Sequence, residues 1–478
     1  MNFKTLSQFA LAIFAVASSP MTPSLLAGGV HQQYTAVVLP PDGGADSFTQ
    51  GFIFAALTDR GTIAVAADTS TPGVYNSYTW TDGKQTDLEA LPQLPNLTGT
   101  STAINWINQL GFAAGYGTRT NSITNASVEN AVVWTPNGQI LELFTPQGDQ
   151  SQANWINDFG QVAGWIANST ADSCWGSFSG TGTQTQAVAW VFGFMVPLGT
   201  LGGTNSFAGF TNNLGQVLGP SQTSNEPNPN TGCPPFEPFI WENGKLTRIN
   251  PGNFGGAEGG PNFLNNQGQA VGFGDLYGDV DFHPFLWSKG KITDLFTVGN
   301  LGGGFGSAFF VNERGHVLGT SSLPGDEAVH AVLWRNDEFT DLHTLSTYDC
   351  SYPGGINSQD QIVGYSFPCA NVTAAHAFIW ENGEMVDLNT LISNTTGIRL
   401  QYAIGINEDG EIAAQGTLTA TGATRAVLLV PNGRWGGADQ AASPAALMDA
   451  AQPQNSTANT GPLPRTLLKH PWHWTGGQ

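Results

Sequence analysis

The chain has 478 residues and a formal charge of −21, from 36 acidic against 15 basic side chains. So negative a surface repels phosphate backbones and anionic lipid, which sets nucleic acid aside as a partner. Charged residues are only 11% of the total, and the abundance of Gly, Asn, Thr, Trp and Phe suits short strands and tight turns better than long helices.

The first element in the chain is an export signal over residues 1–27. Lys4 gives the positive start, Phe9 to Ala17 the apolar stretch, and Ala15-Val16-Ala17 a small-x-small cleavage pattern, with Ala27 as a second cleavage position. The apolar stretch is too short for a membrane span, and no later stretch reaches the roughly 18 apolar residues that a span needs. The expectation is therefore a protein outside the cytoplasm, secreted or periplasmic, with no transmembrane segment.

From Tyr34 to Pro431 the sequence repeats itself. Trp80, Trp134, Trp190, Trp241, Trp287, Trp334 and Trp380 hold equivalent places, and Leu429 holds an eighth, at intervals of 54, 56, 51, 46, 47, 46 and 49 residues. A second signature interleaves with the first: INQLGFAAG at Ile107, INDFGQVAG at Ile156, TNNLGQVLG at Thr211, LNNQGQAVG at Leu264, VNERGHVLG at Val311, INSQDQIVG at Ile356 and INEDGEIAA at Ile406. LTDRGTIAVA at Leu57 is its weaker first copy.

Each period holds four short apolar pieces. The first turns through x-x-Gly into Val-x-Gly, a variable polar loop leads to Ala-Phe-x-Trp, and an Asn-Gly or Asp-Gly turn leads into Asp-Leu. Such dipeptides between apolar runs mark hairpins, because both turn positions require φ > 0. In His376-Ala-Phe-Ile-Trp380 both alternating faces are largely apolar, as in a sheet covered on both sides.

Four antiparallel strands per period of about 50 residues describe the blades of a β-propeller. The fold class is all-β with eight blades, seven being the alternative. The eighth copy stops at Pro431 without its Asp-Leu strand, and Tyr34 to Leu39 is a spare strand that would close the ring and remove its open edges. Residues 432–478 carry few bulky apolar side chains and read as a disordered tail with a basic, aromatic end from Pro464 to Trp474.

HAFIW, HAVLW, the Leu-Gly-Thr-Leu-Gly-Gly linker ending at Gly203 and IN-x-x-G-x-V-x-G together resemble the HAF repeat, named for His-Ala-Phe, of bacterial extracellular proteins. The resemblance spans roughly residues 35–431 and departs in the first three blades, where Ser77, Asn130 and Gln186 stand at or near the His position. It implies export and a propeller-like fold, and it transfers no catalytic residue.

Several features invite chemistry. His283, His330 and His376 recur at one level and could together bind metal, but Glu237, Gln186, Asn130 and Arg425 fill the same slot elsewhere, which favours a polar hydrogen-bonding position. Gly299 to Gly306 is no nucleotide loop, since neither GxGxxG nor a Walker pattern is matched. Gly176-Ser-Phe-Ser-Gly180 resembles a nucleophile elbow with Phe178 where Ser belongs. Asp275, Asp279 and Asp281 share one loop at a spacing that could hold calcium, although no full ligand pattern accompanies them. No other cofactor is indicated.

Cys350 and Cys369 are equidistant from the Asn357 to Asp360 turn and should bridge the open end of one hairpin; Cys174 and Cys233 fall in equivalent loops of adjacent blades and should tie them together. Those second-to-third-strand loops are long in blades two to four (15, 22 and 18 residues) and short in blades five to eight (11, 11, 12 and 11). Insertions confined to one face of a repeat protein mark a binding surface, with Trp175 as its exposed aromatic.

The resulting reading is an exported, monomeric, non-catalytic binding propeller whose ligand is a glycan, a cell-surface component or a partner protein. The alternative is a propeller enzyme, a hydrolase or lyase acting on polysaccharide, with carboxylates or His gathered at the channel mouth. A purely structural role would leave the channel plugged by apolar side chains.

Overall fold

A computed structural model describes residues 31–433, apart from 52–54, 72, 125, 147–149, 176–181, 251–253 and 395. The export signal with Lys4, Ala17 and Ala27, the 176–180 segment and the tail from 434 onward lie outside the described residues. The chain forms eight four-stranded antiparallel sheets, each with its strands in order of sequence except the last. That last sheet takes Ile398–Ile406, Ile412–Leu418 and Thr424–Pro431 from one end of the repeat region and Tyr34–Val38 from the other, with Tyr34 opposite Pro431 and Val38 opposite Val427. The expected closure is therefore present, and the protein is an eight-bladed β-propeller.

Each blade begins at its inner strand, so the turns from first to second strand and from third to fourth lie on one face, here the turn face. The second-to-third loops and the crossovers between blades lie on the other, the loop face. Blade 7 shows the repeat in full: Cys350–Ile356, Ile362–Phe367, His376–Glu381 and Glu384–Asp387. Phe378 and Trp380 are buried together with Leu318, Leu333 and Ile362, so the repeated aromatics pack between neighbouring sheets. The repeated Trp also ties blades: the indole N–H of Trp134, Trp190 and Trp334 donates to the carbonyl of Glu89, Phe144 and Gly299 in the crossover before its own blade.

The asparagine of the Ile-Asn signature builds a ring. Its carboxamide oxygen accepts from backbone N–H groups two and four residues on, and its Nδ2 donates to the backbone carbonyl of the equivalent residue in the next blade. The links run Asn108 to Asn157, Asn212, Asn265, Asn312, Asn357 and Asn407 at 2.8–3.1 Å, and Asn407 closes on Thr58 of blade 1 at 2.9 Å. Thr58 has no such donor, and blade 1 reaches blade 2 through the Asp59 N–H to Gln109 instead.

Two positions before the Ile-Asn pair, the inner strand carries a β-bulge in blades 2, 3, 5, 6, 7 and 8. A bulge leaves one residue out of the ladder and re-aims its side chain. The residue left out is Asn105, Asn154, Asn262 or Phe309 in four blades, and the shift in alternation aims the next one, Trp106, Trp155, Phe263 or Phe310, toward the axis, where Phe210 of blade 4 joins them. Trp106 stacks on Trp155 at 3.6 Å, and Trp155 meets Phe263 at 5.9 Å although blade 4 lies between them. The aromatics of blades 2 to 6 thus converge and fill the centre of the ring. The Gly of Val-x-Gly is what admits the bulge: a Cβ on Gly164 would lie 2.1 Å from the carbonyl oxygen of Gln152.

Candidate functional site

The recurrent histidines do not share a site. His283, His330 and His376 each hydrogen-bond an aspartate eleven residues on in their own blade, Asp294, Asp341 and Asp387, at 2.8–3.0 Å. In blade 4 the same two places are Glu237 and Arg248, a bidentate ion pair of opposite polarity. The slot is a hydrogen-bonded clasp from the third strand to the fourth, as its variable occupants suggested.

Blade 6 adds one group to its clasp. His343 follows Asp341 by two residues and turns its ring back, so that Nδ1 lies 3.0 Å from the Asp341 carboxylate. Among the described residues this is the one set of three His, Cys, Asp or Glu side chains whose ligand atoms all lie within 4.8 Å of one another. Burial pushes the Asp341 carboxyl up, but bonds from His330 and the His343 N–H, with the nearby imidazole charge, outweigh it and leave the group below its ordinary range.

Asp275, Asp279 and Asp281 are not brought to one point. The Asp279 carboxylate accepts from Asn228, Asn230 and the Ala257 N–H at 2.8–2.9 Å, which together overcome its burial and hold it below the usual range. Asp275 is 7% exposed, and burial, reinforced by Glu258 and Asp279, pushes it up to about 8. Glu258 is raised as well, mainly by burial, while Asn228 and Thr231 donate to it. These groups fasten the long blade 4 loop to blade 5.

Trp175, expected as an exposed aromatic, is buried at 1% exposure. The Asp172 side chain accepts from the Cys174 and Trp175 N–H groups and turns the loop inward. There the indole packs with Trp165, Phe207 and Phe236 and donates to Thr185 Oγ1 at 2.6 Å. Both expected disulfides are present, Cys174–Cys233 between blades 3 and 4 and Cys350–Cys369 within blade 7. The glycine run serves close passage, since a Cβ on Gly303 would meet Ser322 Oγ at 2.2 Å.

What sequence reasoning missed lies on the turn face. A cleft of about 570 Å³ opens between blades 6 and 7, lined by Arg335 and Thr340 on one side and Gln359, Asp360, Gln361, Trp380 and Glu381 on the other. Two departures from the repeat meet in its wall. Asp360 stands where blades 1–6 and 8 carry the turn Gly, in the left-handed region at φ +60°, and His316 stands where blades 3, 4, 5 and 7 carry Gln. His316 Nδ1 lies 2.7 Å from Asp360 Oδ1. In the Gln blades that side chain accepts from the ring asparagine; in blade 6 Asn312 donates to Asp360 instead, at 3.0 Å, so each departure compensates the other.

The Arg335 guanidinium lies 3.7 Å from the second Asp360 oxygen, and Gln361 donates to Glu381 at 3.0 Å. Asn336 at 3.4 Å from Nε2 occupies the other face of the His316 ring, so both ring nitrogens are engaged and His316 is not poised as a general base. Fixed amides, carboxylates and a guanidinium in such a cleft can bind a polyhydroxylated ligand by paired hydrogen bonds. The single-letter breaks in the repeat, INSQD for IN-x-x-G and GHV for GQV, were the signal available in the sequence.

No family model matches the chain, and no curated protein matches it. Solved structures of similar shape include the β-propeller domain of the Trilobed protease from Pyrococcus furiosus, at 12% identity over 70% of this chain and 95% of that one, with a TM-score of 0.43. Pyrococcus horikoshii acylaminoacyl peptidase is 10% identical over 77% of this chain and 58% of its own, at a TM-score of 0.41. A Mycobacterium tuberculosis puromycin-hydrolyzing peptidase is 10% identical over 80% and 62%, at 0.40. These likenesses concern the propeller architecture and carry no activity to this chain.

Proposed function

We propose that this is an exported binding propeller of the HAF-repeat kind, acting as a monomer, and that its ligand is a glycan held in the cleft between blades 6 and 7. The observation that carries this reading is the cleft itself, walled by Arg335 ion-paired with Asp360, Gln361 hydrogen-bonded to Glu381, and Gln359 donating to the Glu408 carbonyl. Polar groups held rigid before binding lose little freedom when a ligand replaces water. The two disulfides agree with an oxidising compartment. Among the described residues no helix is long and apolar enough to cross a membrane.

The enzymatic reading has one observation in its favour, the divergent carboxyls Asp275 and Asp279, since a protonated and an ionised carboxyl side by side suit acid–base work. Against it, Asp275 is buried, Asp279 is saturated by three donors, and the axis where such groups would gather is filled by Trp and Phe.

A glycan array followed by calorimetry tests the proposal. Arg335→Ala with Gln359→Ala should weaken binding by ten-fold or more at an unchanged melting temperature, and EDTA should leave binding intact. Binding untouched by these substitutions, or turnover of a bound polysaccharide that Asp275→Asn abolishes, defeats it.

A further inference from the structure

Blades 5, 6 and 7 share the His–Asp clasp, and the residue two places after the Asp separates them. In blades 5 and 7 that residue is Phe296 or Asn389, inside a short 3-10 helix, Leu295–Thr297 or Leu388–Thr390, capped by the Asp itself. In blade 6 it is His343, which adopts φ +62° in place of the helix. A non-glycine residue in this region is uncommon and strained. The consequence is geometric: the His343 ring folds back over the Asp341 carboxylate.

The loop is held in that form from both sides. The His343 N–H donates to Asp341 Oδ1 at 2.8 Å, and its carbonyl accepts from Ser351 Oγ of blade 7 at 2.6 Å. His330 Nδ1 lies 3.0 and 3.1 Å from the two Asp341 oxygens, and His343 Nδ1 lies 3.0 Å from one of them. Around a tetrahedral zinc ion with bonds of about 2.0–2.1 Å, neighbouring ligand atoms are roughly 3.3 Å apart. The two separations from imidazole nitrogen to carboxylate oxygen are therefore already close to that edge length, and all three ligand atoms lie within 4.8 Å of one another. His343 is 76% exposed, which leaves the fourth position open to water, while His330 and Asp341 are mostly buried and fixed.

The geometry points to a divalent transition-metal site on the loop face of blade 6, formed by His330, Asp341 and His343 and best suited to Zn²⁺. On binding, the metal replaces the protons that bridge the three side chains, and both imidazoles coordinate through Nδ1 in their neutral form. Three protein ligands and an open position select a borderline ion; calcium and magnesium, which prefer six or more oxygens, are excluded. The site is separate from the cleft, which opens on the opposite face of the ring, so it stands or falls independently of the glycan reading.

The test is zinc titration of the full chain by calorimetry, paired with anomalous scattering at the zinc edge from crystals soaked with Zn²⁺. His343→Asn tolerates positive φ but removes one ligand, and it should lose one equivalent of bound zinc or weaken it at least ten-fold while the melting temperature without metal stays unchanged. His283→Ala and His376→Ala, which break the same clasp in blades 5 and 7, should keep that equivalent. An anomalous peak absent from between His330, Asp341 and His343 at excess zinc overturns the inference, as does an equivalent that persists in His343→Asn.

Discussion

The His of the HAF motif and the Asp of Asp-Leu are eleven residues apart, and their contact follows from the hairpin between them. The hairpin is centred at 382.5, between Asn382 and Gly383, so antiparallel pairing sets Asp387 opposite Phe378, with His376 two residues earlier diagonally beyond it. The same arithmetic locates Glu237 and Arg248. Buried polar side chains carry the residue-scale predictions. The folded state raises Asp275 to about 8 from an ordinary value near 3.8, so it binds a proton that the unfolded chain releases. Below pH 4 both states hold the proton; as pH climbs through the window from about 4 to 8 the folded state loses stability, by at most about 1.4 kcal/mol per pH unit. Asp275→Asn should therefore match the wild type near pH 4 and exceed it increasingly toward pH 8 in urea denaturation; a constant offset across that range contradicts the assignment. Asn265 offers a second test. It is buried, donates to Asn312 and accepts from two N–H groups. Asn265→Ala should cost about 2–4 kcal/mol, because each buried group left unpaired costs on the order of 1–3 kcal/mol, whereas the exposed neighbour Gln267→Ala should cost almost nothing.

At the scale of the strand and the loop, the repeat made the architecture legible because each recurring letter answers a local demand. Asn-Gly at Asn382 supplies the positive φ of the hairpin turn, and Val-x-Gly makes room for the bulge. The turn Gly was readable for the same reason, and so was its replacement at Asp360. Two things were hidden. The direction of a side chain at a bulge does not follow the period of two, so the Trp and Phe before Ile-Asn could not be placed at the axis from alternation alone. Loop residues such as Trp175 are fixed by contacts with distant partners, Phe207 and Phe236, which no local pattern reports. The disulfides were legible through hairpin and blade equivalence, and they yield a comparison. In the loop-entropy account a 19-residue separation, as for Cys350–Cys369, is worth about 3 kcal/mol, and a 59-residue one, as for Cys174–Cys233, about 4 kcal/mol. Replacing each pair by Ala should therefore lower the urea midpoint more for Cys174 and Cys233, although that bridge lies nearer the surface. The reverse order would mean that packing around the buried Cys350, not chain entropy, dominates.

For the whole molecule the decisive contact is the one between its ends. Blade 8 has its fourth strand, and Thr424–Pro431 a partner along its outer side, only while Tyr34–Val38 lies against it. The strand is held on its other side too: Tyr34 donates its N–H to Leu391 and accepts from Ser393, and the Asn394 carboxamide pairs with both backbone groups of Ala36. Tyr34 and Ala36 are buried against Ile379, Leu391 and Leu400. Deleting residues 33–38 would bare the row of N–H and C=O groups along Thr424–Pro431 and the apolar side chains beneath it. An exposed edge of that kind recruits another strand. The truncated chain should therefore melt several degrees lower and form dimers or larger species in sedimentation, while its seven complete blades keep their circular dichroism. Because the missing piece is a single strand, a synthetic peptide covering residues 31–40 should add back by strand pairing, restoring both the melting temperature and the monomer. A scrambled peptide of the same composition should not. If the truncated protein stays monomeric and as stable as the full chain, ring closure is maintained by the asparagine links from Asn108 to Asn407 alone, and the outer strand is only a cover.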